Sequence, residues 1–222
     1  MTRMPGWEAF GLLVACGTNF DPEPPSDTDE PDADTDSDTD TDTDTDTDTD
    51  SDTDVDTDTD SDADINGTVL ISEVVDHADN ANAKFVEIYN ASSQPVDLFG
   101  WTLRRYANGN TASDEVLLDG LLAPGAIRVI AGSQDFDFAF PFGADQYDGA
   151  ISGNGNDVYE LHNGLNTVDI YGQIGVDGTG TLWEYTDSVA NRLPNISQGA
   201  AFYNASEWTI TPGSGSASPG VR

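Results

Sequence analysis

The chain has 222 residues and a formal net charge of -35 at pH 7, with 42 acidic residues against seven lysines and arginines. This balance argues against nucleic acid as a partner, because proteins bind phosphates largely through Lys and Arg, and it argues equally against docking on anionic lipid. Cys16 is the single cysteine, so an intramolecular disulfide is excluded.

The first sixteen residues, MTRMPGWEAFGLLVAC, have the layout of a secretory signal. Arg3 supplies a positive charge, and Ala9 to Ala15 form an apolar stretch that is too short to span a bilayer. Leu-Val-Ala-Cys resembles the lipobox of bacterial lipoproteins, which implies that residues 1–15 are removed and that the Cys16 sulfur is acylated. The alternative is that Cys16 is an incidental thiol, in a signal peptide cut elsewhere or in no signal at all.

Acylation of Cys16 implies a membrane as one partner of the protein. The resemblance places the chain outside the cytoplasm, in a bacterial cell envelope, as an outer membrane lipoprotein. Stable anchoring takes more than one acyl chain, because each buried CH₂ contributes only about 0.8 kcal/mol. Secretion into the medium is the alternative localisation.

Residues 16–65 form a low-complexity region dominated by aspartate and threonine. Asp21 to Asp64 include 22 acidic residues and no Lys or Arg, and every even position from Asp32 to Asp64 is Asp. Such a segment cannot bury enough apolar surface to offset its conformational entropy. We predict a disordered acidic spacer that self-repulsion extends. An EF-hand calcium loop is not expected, because the run lacks the turn glycine and the distal glutamate.

From residue 66 to residue 222, short apolar runs alternate with turn residues. Seven runs favour strands, namely Gly67–Val75, Lys84–Ser92, Val96–Tyr106, Asp114–Gly120, Ala126–Gly132, Asn156–Gly164 and Thr167–Gly175. Gly-Leu-Asn between the last two runs is a hairpin signal, and Gln134 to Phe140 is predicted as a short helix or turn. Strands at this spacing predict an all-β sandwich.

The order LISEV, KFVEIYN, VDLFGWTLR and LAPG resembles the lamin tail domain, an immunoglobulin-like sandwich found in nuclear lamins and in many bacterial surface proteins. DVYELHN, VDIYGQIGVDGTGTLWEYTDSVANR and SEWTITPGSGSASPG are similar to its longer bacterial form. In VEIYN, Val86 and Ile88 face one way while Glu87 and Tyr89 face the other, and Trp101 is placed where two sheets close.

The chain departs from nuclear lamins in having no heptad rod and no basic localisation run. We therefore do not expect filament formation or chromatin binding. The hydrolase domains to which bacterial copies are often joined are also missing from this sequence.

Residues with catalytic chemistry are sparse. His77 with Asp76 and Asp79 is a candidate metal set, but no second imidazole lies at ligand spacing, and a solvated loop residue is the preferred interpretation. His162 ends a predicted strand as a surface or capping residue. No nucleophile elbow is present, so no catalytic and no cofactor-binding residue is predicted.

The stretch GVDGTGTLWEYTDS, Gly175 to Ser188, offers the oxygen ligands Asp177, Glu184 and Asp187 to calcium. Its spacing matches no established calcium loop, and the preferred interpretation is a glycine turn in which Asp177 caps backbone amides. No cofactor is therefore predicted, with calcium as the alternative.

Trp101, Trp183 and Trp208 are predicted as core residues, with a carbohydrate-binding platform as the alternative. Together these features indicate a non-enzymatic, lipid-anchored cell-surface module that presents a lamin-tail-like domain on an acidic spacer to an unknown protein or glycan. The alternative is an accessory or cryptic extracellular hydrolase, with metal dependence as one form of it. The sequence offers no mutually spaced nucleophile, base and oxyanion donors for that reaction.

Overall fold

The computed structural model describes residues 67–222. Cys16, the predicted signal segment and the predicted acidic spacer lie outside the described residues. Within residues 67–222 the chain forms twelve strands, one short α-helix and one 3₁₀ turn. These elements are β1 (Val69–Val75), β2 (Phe85–Asn90), β3 (Val96–Asp97), β4 (Thr102–Tyr106), β5 (Asp114–Leu117), β6 (Leu121–Leu122), β7 (Ile127–Ala131), α1 (Phe136–Ala139), β8 (Gln146–Tyr147), β9 (Val158–His162), β10 (Thr167–Tyr171), β11 (Ser188–Arg192), the 3₁₀ turn Ala205–Glu207 and β12 (Trp208–Pro212).

Two sheets pack face to face. The larger sheet has six strands in the order β12-β11-β1-β2-β7-β8, and the smaller has four in the order β10-β9-β4-β5. β3 and β6 pair as a separate two-stranded ribbon, and β8 joins β7 in parallel. The architecture confirms the predicted all-β, immunoglobulin-like sandwich. In the same described range, no helix combines the length and the apolar character needed to span a membrane.

Each of the seven predicted runs contains a strand, but Val96–Tyr106 contains two. The chain turns at Gly100, which has a φ of 82°, and the Trp101 N–H donates to the Leu98 carbonyl at 2.9 Å. β3 therefore joins the ribbon while β4 joins the four-stranded sheet, so the prediction of one continuous strand was wrong. The predicted short helix or turn is confirmed by α1.

The main core lies between the two sheets. Val86 and Ile88 point into it, as the alternation in β2 predicts, and they meet Leu103 of β4 and Leu161 of β9 among many other apolar side chains. The three tryptophans Trp101, Trp183 and Trp208 belong to the same cluster and are at most 8% exposed. Their predicted role as core residues is confirmed.

The outer face of β1 and β2 is also buried. α1 and residues 213–222, which we call the C-terminal strap, lie over it. Phe136 and Ala217 pack there against Val75, Phe85 and Val129. Glu87 points to this face, as predicted, but the strap shields it from solvent.

Two strands that the sequence did not reveal, β11 and β12, extend the larger sheet beyond β1. Arg192 of β11 forms a buried ion pair with Asp169 of β10 and a second pair with Glu207 at 2.5 Å. The Asp169 carboxylate also accepts the Ile71 N–H at 2.8 Å, where the register of β1 shifts. Charge-assisted hydrogen bonds thus tie the edge strand of one sheet to the centre of the other.

Candidate functional site

The loop between β10 and β11, residues 172–187, is folded around the side chain of Trp183. A Cβ placed on Gly178 would lie 2.3 Å from Cζ3 of the Trp183 ring, so only glycine permits this approach. Gly172 packs on the same ring, since its Cβ would lie 3.1 Å from it, and its φ of 92° also favours glycine. The two glycines fix the ring in place and leave it only 5% exposed.

Tyr171 supports this loop from inside the sandwich. Its hydroxyl donates to the Trp183 carbonyl at 2.9 Å. Its ring makes edge contacts with the rings of Trp183, Tyr185, Tyr203 and Trp208, at centroid distances between 4.7 and 6.5 Å. Such pairs contribute about 0.5–1.5 kcal/mol each beyond their buried area, so packing on Tyr171 stabilises the side chains around it.

A groove of about 450 Å³ opens at the surface beside Trp183. We call it the aromatic groove; it is lined by Ile170, Gly172, Gln173, Ile174, Trp183, Ala201, Phe202 and Tyr203. Phe202 is 72% exposed, and Leu182, whose carbonyl lies 3.5 Å from the Tyr203 hydroxyl, is 81% exposed. Large apolar side chains exposed together are typical of an interaction site.

Two carboxylates belong to the loop that carries Trp183. Asp177 accepts the Thr179 N–H at 2.9 Å and an Asn156 amide N–H at 3.0 Å, and these bonds lower the pKa of Asp177. Its predicted capping role is confirmed. Glu184 accepts the Gly180 N–H at 2.7 Å. Neither carboxylate forms an ion pair with a Lys or Arg of residues 67–222.

Asp187, the third calcium candidate, takes a separate place. It has a left-handed backbone with a φ of 48°, and its N–H donates to the Asp76 carboxylate at 3.1 Å. In the described part of the chain, no three His, Cys, Asp or Glu side chains are grouped so that they could hold a metal ion. The structure therefore does not assemble Asp177, Glu184 and Asp187 into one site, and calcium binding stays an untested alternative to the prediction of no cofactor.

Both histidines act within turns. His77 Nδ1 accepts two backbone N–H groups of its own loop at 3.2 and 3.1 Å, while Asp76 accepts from Lys84 Nζ at 2.6 Å. His162 Nδ1 accepts the Gly164 N–H at 3.0 Å in the β9–β10 hairpin, which is the predicted capping role.

All six basic side chains of residues 67–222 are engaged by groups of the same domain, against 19 acidic residues from residue 65 onward. The ion pairs include Lys84 with Asp76, Arg104 with Glu115, Arg105 with Asp157, Arg128 with Asp119 and Arg192 with Asp169. Arg222 lies over the Tyr89 ring at 4.4 Å and donates to the Ile196 carbonyl. The uncompensated charge on this domain is therefore negative.

Sequence reasoning singled out Trp183 but missed Leu182, Phe202 and Tyr203. The signal was present in the run AAFY, residues 200–203, an apolar stretch in a turn-rich region where no core strand was predicted. Its closeness to Trp183 depends on the path of the chain after β11, which no local pattern reveals.

The fold and the groove define an immunoglobulin-like β-sandwich module with an exposed apolar site. A sequence model of the Lamin Tail Domain family matches residues 63–175, half of the chain, and the chain belongs to this family. β1 to β10 lie within the match, whereas β11, β12 and the Phe202 side of the groove lie beyond it. No curated protein has a matching sequence.

Proposed function

We propose that this chain is a non-catalytic binding module of a bacterial cell envelope, anchored by acyl chains on Cys16 and held away from the membrane by its acidic spacer. The observation that carries the proposal is the family match over residues 63–175, because lamin tail domains with the immunoglobulin-like fold are typically non-catalytic. The partner is a protein or a glycan that reaches the exposed sandwich.

The anchor rests on the sequence MTRMPGWEAFGLLVAC and on the polar, proline-rich residues that follow it. The spacer from Asp21 to Asp64 has 44 residues. At roughly 3.1 Å per residue in an extended polyproline-like chain, it reaches about 136 Å at most. An extended spacer of that length can carry the sandwich beyond lipid head groups and short surface glycans.

The charge of the domain supports a neutral or basic partner. Because the six basic side chains of residues 67–222 are already engaged, they offer little to phosphates or to anionic lipid. The aromatic groove supplies the apolar surface that binding requires.

The hydrolase alternative has a candidate serine–carboxylate pair in Ser72 and Glu87. The Ser72 hydroxyl donates to Glu87 at 2.6 Å, and burial raises the pKa of Glu87 to about 7, which is the range of a general base. However, Ser72 is 4% exposed, and the second Glu87 oxygen accepts the Gly220 N–H of the C-terminal strap at 2.7 Å. We expect Ser72→Ala to leave ester hydrolysis by the purified chain at the same background level. A loss of turnover in this variant would support the hydrolase alternative.

The proposal is tested by labelling intact cells with a palmitate analogue and measuring the mass of the N-terminal peptide. We expect an acylated peptide that begins at Cys16, and we expect Cys16→Ser to move the protein from the membrane fraction to the soluble fraction. An unlipidated peptide beginning elsewhere, with unchanged fractionation of Cys16→Ser, would contradict the anchor and favour a secreted protein.

A further inference from the structure

We infer that the aromatic groove binds a cationic, apolar segment of a partner protein, whose apolar side chains enter the groove while flanking Lys or Arg residues face Asp177 and Glu184. The inference rests on the proposed function as a binding module and deepens it by giving the site and the chemistry of the partner.

The shape of the groove suits side chains rather than a large cofactor. Its volume of about 450 Å³ lies at the lower end of the range, about 300–1,000 Å³, that ligand sites occupy. Ile170 and Trp183 form the inner wall, and the exposed Phe202 side chain stands at the opening. The contacts of Tyr171 with Trp183 and Tyr203 hold these two side chains in place before a partner binds, which lowers the cost of ordering the site.

The acidic side chains on the loop that carries Trp183 favour a partner segment with positive charge. Asp177 stays ionised because its hydrogen bonds lower its pKa, and Glu184 lies on the same loop without an ion-pair partner in residues 67–222. Arg192, the basic residue of the adjoining strand β11, is occupied by Asp169 and Glu207. A basic segment is therefore attracted and an acidic one repelled, although exposed charges act mainly on association rate and specificity.

The lining favours a peptide over a glycan. Sugar platforms present the open face of an aromatic ring, but the Trp183 ring is 5% exposed and is covered by Gly172 and Gly178. Gln173 is the one lining residue with a carboxamide, and the Tyr203 hydroxyl lies against the Leu182 carbonyl. A saccharide entering the groove would leave several hydroxyls without partners, which costs free energy.

The test measures fluorescence anisotropy of three labelled hexapeptides with the full-length Cys16→Ser chain. One peptide alternates lysine and leucine, the second replaces its leucines with serine, and the third replaces its lysines with glutamate. Because every titration contains the acidic spacer, the lysine-serine peptide reports the attraction due to charge alone, whether to the spacer or to the acidic side chains of the domain. We expect the lysine-leucine peptide to bind about tenfold more tightly than either of the others.

Substitutions test whether the higher affinity of the lysine-leucine peptide arises in the aromatic groove. Phe202→Ser is expected to remove the tenfold difference, whereas Phe138→Ser, at a side chain that is 87% exposed on α1, should leave it unchanged. Asp177→Asn should weaken the binding of the lysine-leucine peptide by about two- to threefold at low salt and should not change it at high salt.

Two outcomes would overturn the inference. One is equal binding of the lysine-leucine peptide by Phe202→Ser, Phe138→Ser and the parent chain, which would assign the affinity to charge alone. The other is binding of chitotetraose that Phe202→Ser abolishes, with no preference among the peptides. In that case the chain would still be a binding module, but its partner would be a glycan. The proposal of a lipid anchor is tested independently of peptide binding, by the membrane fractionation of Cys16→Ser.

Discussion

Glu73 of β1 and Glu87 of β2 lie directly opposite each other across two paired strands, and each is 1% exposed. The C-terminal strap covers them: the Ser218 N–H donates to Glu73 at 3.0 Å, and the Gly220 N–H donates to Glu87 at 2.7 Å. Burial raises the pKa of Glu73 to about 8 and that of Glu87 to about 7. Repulsion by Glu87 adds to the shift of Glu73, while Arg222 partly offsets the shift of Glu87.

These pKa values predict that the domain loses stability as the pH rises. Both lie above the value of 4.5 for a free glutamate, so between about pH 4.5 and 8 the folded protein holds protons that the unfolded chain has released. The free energy of unfolding must then fall as pH increases through this window. We expect the Tm, measured by calorimetry, to decrease from about pH 5 to about pH 8.

The control is the double variant Glu73→Gln, Glu87→Gln, in which neutral amides replace the protonated carboxyls. Its Tm should depend less on pH than that of the parent chain. Asp169, whose pKa is also raised by burial, is retained in both proteins, so the difference between them isolates the pair. Parallel pH profiles would contradict the prediction.

Asp169 and Asp119 provide a matched comparison of buried and exposed ion pairs. Asp169 has no exposed surface and pairs with Arg192, whereas the Asp119 side chain is 91% exposed and lies 3.9 Å from Arg128. We expect Asp169→Asn to lower the free energy of unfolding by about 3–5 kcal/mol, and Asp119→Asn to change it by less than about 0.5 kcal/mol. Urea unfolding of the two variants measures both; similar losses would show that Asp169 does not tie the sheets together.

Gly178→Ala is expected to destabilise the loop that forms the aromatic groove. The new Cβ meets the Trp183 ring at 2.3 Å, a distance that forces the ring or the backbone to move, at a cost of about 1–3 kcal/mol. Gly149→Ala, where no heavy atom lies within 4 Å of the added Cβ, should cost far less. Thermal unfolding measures the loss of stability in both variants. If the two variants unfolded at the same temperature, the loop would accommodate the added Cβ and the prediction would be contradicted.

Calcium removal is expected to leave the Tm unchanged. The Asp177 and Glu184 carboxylates accept N–H groups of their own loop, so their geometry does not depend on an ion. Thermal unfolding in EDTA and in excess CaCl₂ tests this, because a ligand that binds only the folded state raises the Tm. A rise in CaCl₂ that Asp177→Asn removes, and Asp79→Asn at another exposed loop does not, would establish a calcium site.

Deletion of Asp27 to Asp64 is expected to leave the unfolding of the sandwich nearly unchanged. The deleted run is almost wholly aspartate, threonine and serine, and it has no aromatic side chain to pack against the domain. Calorimetry at matched salt concentration checks the expectation. A drop of many degrees would mean that the spacer contributes packing.

The strands whose sequence pattern is local could be predicted, and those that depend on distant partners could not. β2 and β9 alternate or concentrate apolar residues between turn signals, and both are found where expected. β11, with the sequence SVANR, has small and polar side chains, and it forms a strand because it pairs with β1 more than a hundred residues earlier. The break at Gly100 had a visible signal, a glycine in the middle of an apolar run, that outweighed the strand pattern around it.

The candidate site was only partly predictable for the same reason. The capping role of Asp177 follows from its place in a glycine turn, and the burial of Trp183 follows from its size and apolar character. The groove requires Phe202 to lie beside Ile170 and Trp183, and that meeting is produced by the tertiary path of the chain.

The pairing of β1 with β11 also sets the order in which the protein can fold. Glu73 pairs with Asn191, so one edge of β1 stays open until Ser188–Arg192 is in place beside it. Contacts this distant in sequence slow folding, and an open strand edge is prone to pairing with other chains. The folding chain must therefore keep its first strand exposed until β11 pairs with it, and the high negative charge that precedes β1 makes neighbouring unfolded chains repel one another during that time.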